Sequence, residues 1–274
     1  MLILKAPAKV NLTLKIVGMR DDGYHAIESV FLKLDDFCDT LEFYPHGVDY
    51  EILFTSTDKK LENDNNLIIK AANLLRKKSG VFAGARIHLN KRIPIEAGLG
   101  GGSSNAAITL VGLNKLWKLN FSERELMEIG AVVGSDVPFF ISSENCAVVT
   151  GRGEYVIPFS VENAPKIVVK KGELGLPTKL VFQQFQSLSP NLPMVDTEYG
   201  RDGATLELTN EMKQALILGD KKRVGELLAN DLELPALHFL PEIEKIKQEI
   251  LEQYDAYGTL MTGSGSAIFG VLKD

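Results

Sequence analysis

Apolar residues recur along this chain at two periods, and the change from one to the other marks out its elements. Between positions 8 and 17, Val10, Leu12, Leu14 and Ile16 alternate with Lys9, Asn11, Thr13 and Lys15. A period of two predicts a half-buried strand, with Lys9, Asn11 and Thr13 on a solvated face. Asp22-Gly23 predicts the corner of a turn over 20–25. Further strands are expected at 29–34, 40–44 and 50–55, so the first sixty residues read as β-rich. Leu67, Ala71, Leu74 and Leu75 then follow helical spacing, with Asn65 or Asn66 as cap and Gly80 as stop. A strand at 85–91 leads to a glycine-rich stretch and a helix reaching about Trp117. Ser122-Glu-Arg-Glu125 is a capping box for a short helix ending near Gly130. Strands at 146–150 and 154–159 flank a Gly151-Arg-Gly153 turn, and another is expected at 166–170. Helices are expected at 176–186, 206–218, 221–228 and 241–254, the last with Pro241 in its first turn, and 187–203 reads as polar connecting chain. Two strands at 257–262 and 267–273 close the chain around Gly263-Ser-Gly-Ser266. The pattern predicts an α+β protein of two lobes, dividing between positions 160 and 172 and giving domains 1–160 and 161–274.

Composition narrows this picture. A hydrophobic content of 45% supplies a core, and a net charge of −6 excludes a general nucleic-acid or anionic-membrane binder. Cys38 and Cys146 stand far apart, and the four histidines show no metal-ligand spacing, so neither a disulfide framework nor a zinc site is expected. The apolar run at the N-terminus is too short for a signal segment, and no stretch has the length of a membrane span. A cytoplasmic protein is the expectation.

The stretch Pro94-Ile-Glu-Ala-Gly-Leu-Gly-Gly-Gly-Ser-Ser104 carries the strongest chemical signal. Strand, glycine loop and helix start together wrap backbone N–H groups around an anion, and a positive dipole end adds to them. Walker A would need a lysine after Gly102, and the dinucleotide fingerprint would need a small apolar residue at Ser103; neither is present. A phosphate-binding loop of another kind is the expectation, against a merely tight turn. Asp136 precedes Val-Pro-Phe-Phe and reads equally as helix cap or catalytic base. By itself Lys9 reads as a surface lysine, Gly263-Ser-Gly265 as an ordinary turn, and Tyr24 and His25 as packing residues.

As a set these motifs resemble the GHMP kinases. Pro7-Ala-Lys-Val-Asn-Leu12, Asp22-Gly-Tyr-His25, Asn66-Leu-Ile, Gly98-Leu-Gly-Gly-Gly-Ser-Ser-Asn-Ala-Ala107, Gly134-Ser-Asp-Val-Pro-Phe-Phe140 and Met261-Thr-Gly-Ser-Gly-Ser266 carry the likeness. It is densest in the first half and points to the branch that phosphorylates a cytidine-diphosphate-linked methylerythritol. The resemblance implies a ribosomal-S5-like N-terminal lobe and a ferredoxin-like C-terminal lobe. It implies Asp136 as catalytic base with Lys9 paired to it. ATP would lie on Pro94, Ile95, Glu96, Ala97, Gly98, Leu99, Gly100, Gly101, Gly102, Ser103 and Ser104, with Asn66 and Lys91 on the adenine side. The small-molecule acceptor would meet Asn11, Tyr24, His25, Phe31, Thr178 and Phe182, and Glu96 would point away from ATP. Mg²⁺ is implied with Ser104 as a candidate ligand, though no sequence feature fixes its site. The implied protein is a monomer or weak homodimer without nucleic-acid or membrane partners. A homoserine- or mevalonate-type kinase, or a non-catalytic nucleotide-binding module, would share the loop.

Overall fold

In the computed structural model, which describes residues 1–47, 50–172, 174–203 and 205–273, the first apolar alternation extends beyond its expected ends. Strand β1 runs Leu2–Arg20 and, after a turn at Gly23, β2 runs His25–His46 without a break. The two strands expected within 29–44 are therefore one. Asp35 and Asp36, between the two expected strands, sit as exposed strand positions, and the Cys38 thiol donates to the Asp35 carbonyl at 2.9 Å. Next come β3 (Ile52–Ser56), α1 (Leu67–Ser79), β4 (Gly84–Asn90), α2 (Gly101–Leu116), α3 (Glu123–Val133) and α4 (Val137–Ile141). They are followed by β5 (Cys146–Gly151), β6 (Tyr155–Phe159), β7 (Ile167–Lys171), α5 (Thr178–Leu188), β8 (Met194–Val195), α6 (Glu207–Leu218) and α7 (Lys221–Glu226). The chain closes with β9 (Ala229–Asn230), α8 (Glu233–Phe239), α9 (Glu242–Tyr254), β10 (Ala256–Met261) and β11 (Ala267–Leu272). Helix α8 was not expected. Its Pro235 looks like a breaker, yet it occupies the first turn, where no N–H bond is required. Pro241 takes the position just before α9 rather than its first turn.

The chain groups into two compact units, each assembled from separated segments. The first holds Met1–Ala8, Leu34–Pro94 and Gly100–Ser143; the second holds Lys9–Lys33, Ile95–Leu99 and Glu144–Asp274. In the first unit β4 pairs antiparallel with the 40–46 part of β2 and parallel with β3. Helices α1 and α2 pack on one another. Asn66 caps α1 by accepting from the Ile68 N–H at 2.9 Å, and Gly80 ends it at φ +66°. Helix α2 sits so close to the sheet that a Cβ on Gly112 would stand 2.6 Å from the Phe43 ring. The Ser122–Glu125 capping box forms as expected.

In the second unit β5 pairs antiparallel with both β2 and β6, and β11 lies between β10 and β7 in a separate three-stranded sheet. Leu14 and Ile16 of β1 share a core with Val181 and Phe185 of α5, Ile243 and Ile250 of α9, and Ile268 of β11. The segment after α5 is fastened back to the long strands. Short strands β8 and β9 pair parallel with β1. The buried Glu28 carboxylate accepts from the Thr205 and Leu206 N–H groups at 3.0 and 2.9 Å, at the entry to α6.

Candidate active site

The polar face of β1 is not solvated: Lys9 is 4% exposed, and Asn11 and Thr13 are buried. Charge is tolerable there because each group has a partner. Lys9 Nζ donates to Asn11 Oδ1 at 2.6 Å and lies 4.6 Å over the ring of buried Phe31. Asn11 Nδ2 donates to Ser29 Oγ at 3.0 Å, and the Val30 N–H donates to Thr13 Oγ1 at 3.0 Å. Phe31 thus backs the lysine from beneath rather than presenting an open stacking face.

The C-terminal glycine turn buttresses the glycine loop within the second unit. The Thr262 hydroxyl lies 3.0 Å from the Asn11 N–H, 3.2 Å from Asn11 Oδ1 and 3.3 Å from the Gly98 carbonyl. The Ala267 N–H donates to the Ala97 carbonyl at 3.1 Å, and the Lys9 N–H to the Leu99 carbonyl at 3.0 Å. Gly98 adopts φ +74°, and a Cβ there would fall 2.1 Å from the Thr262 carbonyl oxygen. Glycine at 98 therefore answers to a backbone contact. Thr262 stands in the Met261–Ser266 motif, but nothing local tied it to Asn11, 251 positions away.

In the first unit, Gly100 starts α2 at φ +68° with no side-chain cap, leaving the first-turn N–H groups without one. The Ser104 hydroxyl is buried and has no partner. Gly101 is enclosed: a Cβ there would meet Ile93 at 3.0 Å and Lys91 Nζ at 3.1 Å, so a substituent at 101 strikes the loop's own support before any ligand. Gly102 is open, its nearest neighbour Leu67 at 3.7 Å. Helix α4 packs on α2 and α3. A Cβ on Gly134, two residues before Asp136, would stand 3.9 Å from Ser103 Oγ. Asp136 occupies the N-cap position of α4 but makes no capping hydrogen bond.

Asn66 and Lys91, expected on the adenine side, each make hydrogen bonds within the first unit. Asn66 caps α1 and also donates to the Leu61 carbonyl at 2.9 Å. Lys91 Nζ pairs with Asp39 at 2.7 Å and donates to the Ile93 carbonyl. Burial pushes the Lys91 ammonium below the usual lysine value, and Asp39 opposes this. The fully buried Asp39 carboxylate also accepts from the Arg92 and Ile93 N–H groups at 2.7 and 2.8 Å, and from Asn105 Nδ2 at 2.8 Å. It ties strand β2 to the loop entry and to the N-terminal half of α2, a role that no motif announced.

The remaining predicted acceptor residues lie in the second unit. His25 packs on Phe182 with ring centres 5.1 Å apart; burial lowers its pKa, and its Nε2 is buried without a partner. Tyr24 is 56% exposed, with the Arg152 guanidinium 5.1 Å from its ring centre. Thr178 Oγ1 is 2.8 Å from Ser264 Oγ in the glycine turn. Glu96 is exposed at φ +53°, and a Cβ on Gly175 would stand 3.4 Å from its side chain.

Two family models match the chain: "GHMP kinases N terminal domain" over residues 66–144 and "GHMP kinases C terminal" over 212–274. A 4-diphosphocytidyl-2-C-methyl-D-erythritol kinase of Geobacillus thermodenitrificans is 37% identical over 273 residues, covering 99% of this chain and 88% of the relative. One of Thermodesulfovibrio yellowstonii is 37% identical over 275 residues, with 100% and 90% covered. A crystal structure of 4-(cytidine 5'-diphospho)-2C-methyl-D-erythritol kinase superposes with a TM-score of 0.80 at 32% identity, covering 99% of this chain and 90% of that one. A homoserine kinase from Cytophaga hutchinsonii shares the fold, with a TM-score of 0.71 at 16% identity and coverage of 99% and 85%. No helix among the described residues is long and apolar enough to cross a membrane.

Proposed function

The chain belongs to the GHMP kinases, in the family of the 4-diphosphocytidyl-2-C-methyl-D-erythritol kinases, and from that premise we propose that it transfers the γ-phosphoryl group of ATP to the 2-hydroxyl of 4-diphosphocytidyl-2-C-methyl-D-erythritol. The observation carrying this reading is the uncapped glycine start of α2 with the orphaned Ser104 hydroxyl behind it, in a chain 37% identical to named kinases over nearly its whole length.

Asp136 is the general base that takes the acceptor's proton. Lys9, held by Asn11 and Phe31, supplies positive charge toward the transferring group. The first-turn N–H groups of α2 take the nucleotide's phosphates. Tyr24, His25, Thr178 and Phe182 hold the cytidine-diphosphate end. The unpartnered Nε2 of a neutral His25 can donate to or accept from a base edge, depending on tautomer. Among the described residues no group of three or more His, Cys, Asp or Glu could hold a metal, so the chain offers no ready-made cage. A Mg²⁺ carried on phosphates needs only one or two protein ligands, and the Ser104 hydroxyl fits that demand. Bound there, the ion would offset phosphate charge. Catalysis then rests on positioning and electrostatics.

The test is ADP release with ATP and either the cytidylylated or the free methylerythritol as acceptor. Turnover with the cytidylylated acceptor alone is expected. Equal turnover with both would move the reading to another small-molecule kinase, and none with either would leave a nucleotide-binding module.

A further inference from the structure

We propose that Arg20 is a positioning residue for acceptor recognition, acting through a part-buried ionic cluster with Asp22 and Glu154 that fixes the turn carrying Tyr24 and His25. The proposal rests on the reading of that turn as acceptor-binding.

Arg20 ends β1 and is 4% exposed. Its guanidinium meets Asp22 as a fork, Nε to Oδ1 at 3.2 Å and Nη2 to Oδ2 at 2.9 Å, while Nη1 reaches Glu154 Oε1 at 2.8 Å. Asp22 Oδ1 also accepts from the Tyr24 N–H at 3.2 Å, so one carboxylate bridges the arginine to the backbone of the recognition residue. The Arg20 N–H donates to the Tyr24 carbonyl at 2.8 Å, and the Gly23 N–H to the Arg20 carbonyl at 3.0 Å. Glu154 carries the cluster into the β5–β6 turn, accepting from the Arg152 N–H at 2.5 Å, and the Arg152 guanidinium lies against Tyr24. From behind, Met19 and Arg20 pair with Met194 and Val195 of β8, and the Met19 N–H donates to the Pro193 carbonyl at 2.8 Å.

Such a cluster is a costly way to hold a surface turn. Burying a guanidinium, as Arg20 is buried here, can cost more than its ion pairs return, and apolar residues often stabilise as well or better. Residues 21–24 at the tip are exposed, so the cluster secures little burial there. What it secures is direction. Forked arginine–carboxylate pairs fix angles as well as distances. His25 follows directly, its ring packed on Phe182 and its Nε2 buried without a partner. Hydrogen bonds weaken steeply with misalignment, and misplacement by about 1 Å can cost 10²-fold in rate. The polar 187–203 segment contributes as well, because its β8 strand braces the root of the turn.

Arg20→Lys keeps a charge but loses the fork, and Glu154→Gln keeps shape but loses the ion pair. Each is measured for KM of the cytidylylated acceptor, KM of ATP, kcat, and preference for the cytidine over the uridine acceptor, beside Tyr24→Ala and His25→Ala. The expected result is an acceptor KM raised roughly tenfold or more in both cluster variants, a weakened cytosine preference, and ATP KM within about twofold. An unchanged acceptor KM in folded cluster variants, while Tyr24→Ala and His25→Ala raise it, overturns the proposal and leaves the site reading intact. ATP and acceptor KM rising together with a falling Tm would make the cluster generally structural and also overturn it. No effect from Tyr24→Ala or His25→Ala would instead remove the site reading itself. Should Arg20→Lys fail to fold, Glu154→Gln and Asp22→Asn decide by the same ratio.

Discussion

Gly98→Ala and Gly102→Ala make the same chemical change four residues apart, yet the structure assigns them opposite effects on stability. At 98 the new Cβ would lie 2.1 Å from the Thr262 carbonyl oxygen, where contacts under 3.0 Å are essentially never seen, and the backbone sits at φ +74°. Left-handed φ costs an L-residue about 1–2 kcal/mol, and forcing the loop off its buttress adds about 1–3 kcal/mol. The sum, about 2–5 kcal/mol, lowers Tm by roughly 4–20 °C for a chain of this size. At 102 the nearest atom is 3.7 Å away and the residue is helical. Alanine there gains at most about 1 kcal/mol and raises Tm by a few degrees, about 2–4 °C. Thermal melts with and without ATP check both arms. Gly102→Ala should lose part of the ATP-induced Tm increase, because its methyl lies on the open side of the helix start. Equal shifts of the same sign in the two variants, or an unchanged Tm for Gly98→Ala, would refute the buttress.

Other outcomes follow from the same geometry. Asp136→Asn should lower kcat by roughly 10² or more with both KM values kept, as steady-state kinetics against each substrate would show. Asp39→Ala strands the Lys91 ammonium and three further donors in the interior, and should cost about 3–5 kcal/mol by chemical denaturation. Burial holds His25 below its usual 6.5, so as pH falls through that value the unfolded chain takes up the proton first. Stability should therefore decline from about pH 6.5 towards the lower folded value, and Tm measured against pH should lose that slope in His25→Gln.

Local signals transmitted well into structure where one segment settles its own fate. Asn66 and Gly80 bound α1, Ser122 and Glu125 cap α3, and three glycines open α2, because those hydrogen bonds close within a few residues. The failures share one cause. Lys9, Asn11 and Thr13 looked solvated because alternation assigns one face to water, and only partners far along the chain, such as Ser29 and Thr262, cover that face. Asp39 itself carried no signal, since a buried carboxylate with four donors has the same letter as a surface one.

The place of β11 between β7 and β10 bears on how the chain reaches its fold. Among the described residues β7 pairs with β11 alone, joining Ile167 to Val271 across roughly a hundred residues, a high-contact-order step that slows folding. During synthesis β7 emerges long before its mate and waits with open edges, which invite pairing with other chains. The antiparallel β10–β11 hairpin, by contrast, closes locally and can form as a unit before docking. Slower translation should therefore lower the soluble yield, by lengthening the interval in which a neighbouring chain can reach β7 before the last hairpin does.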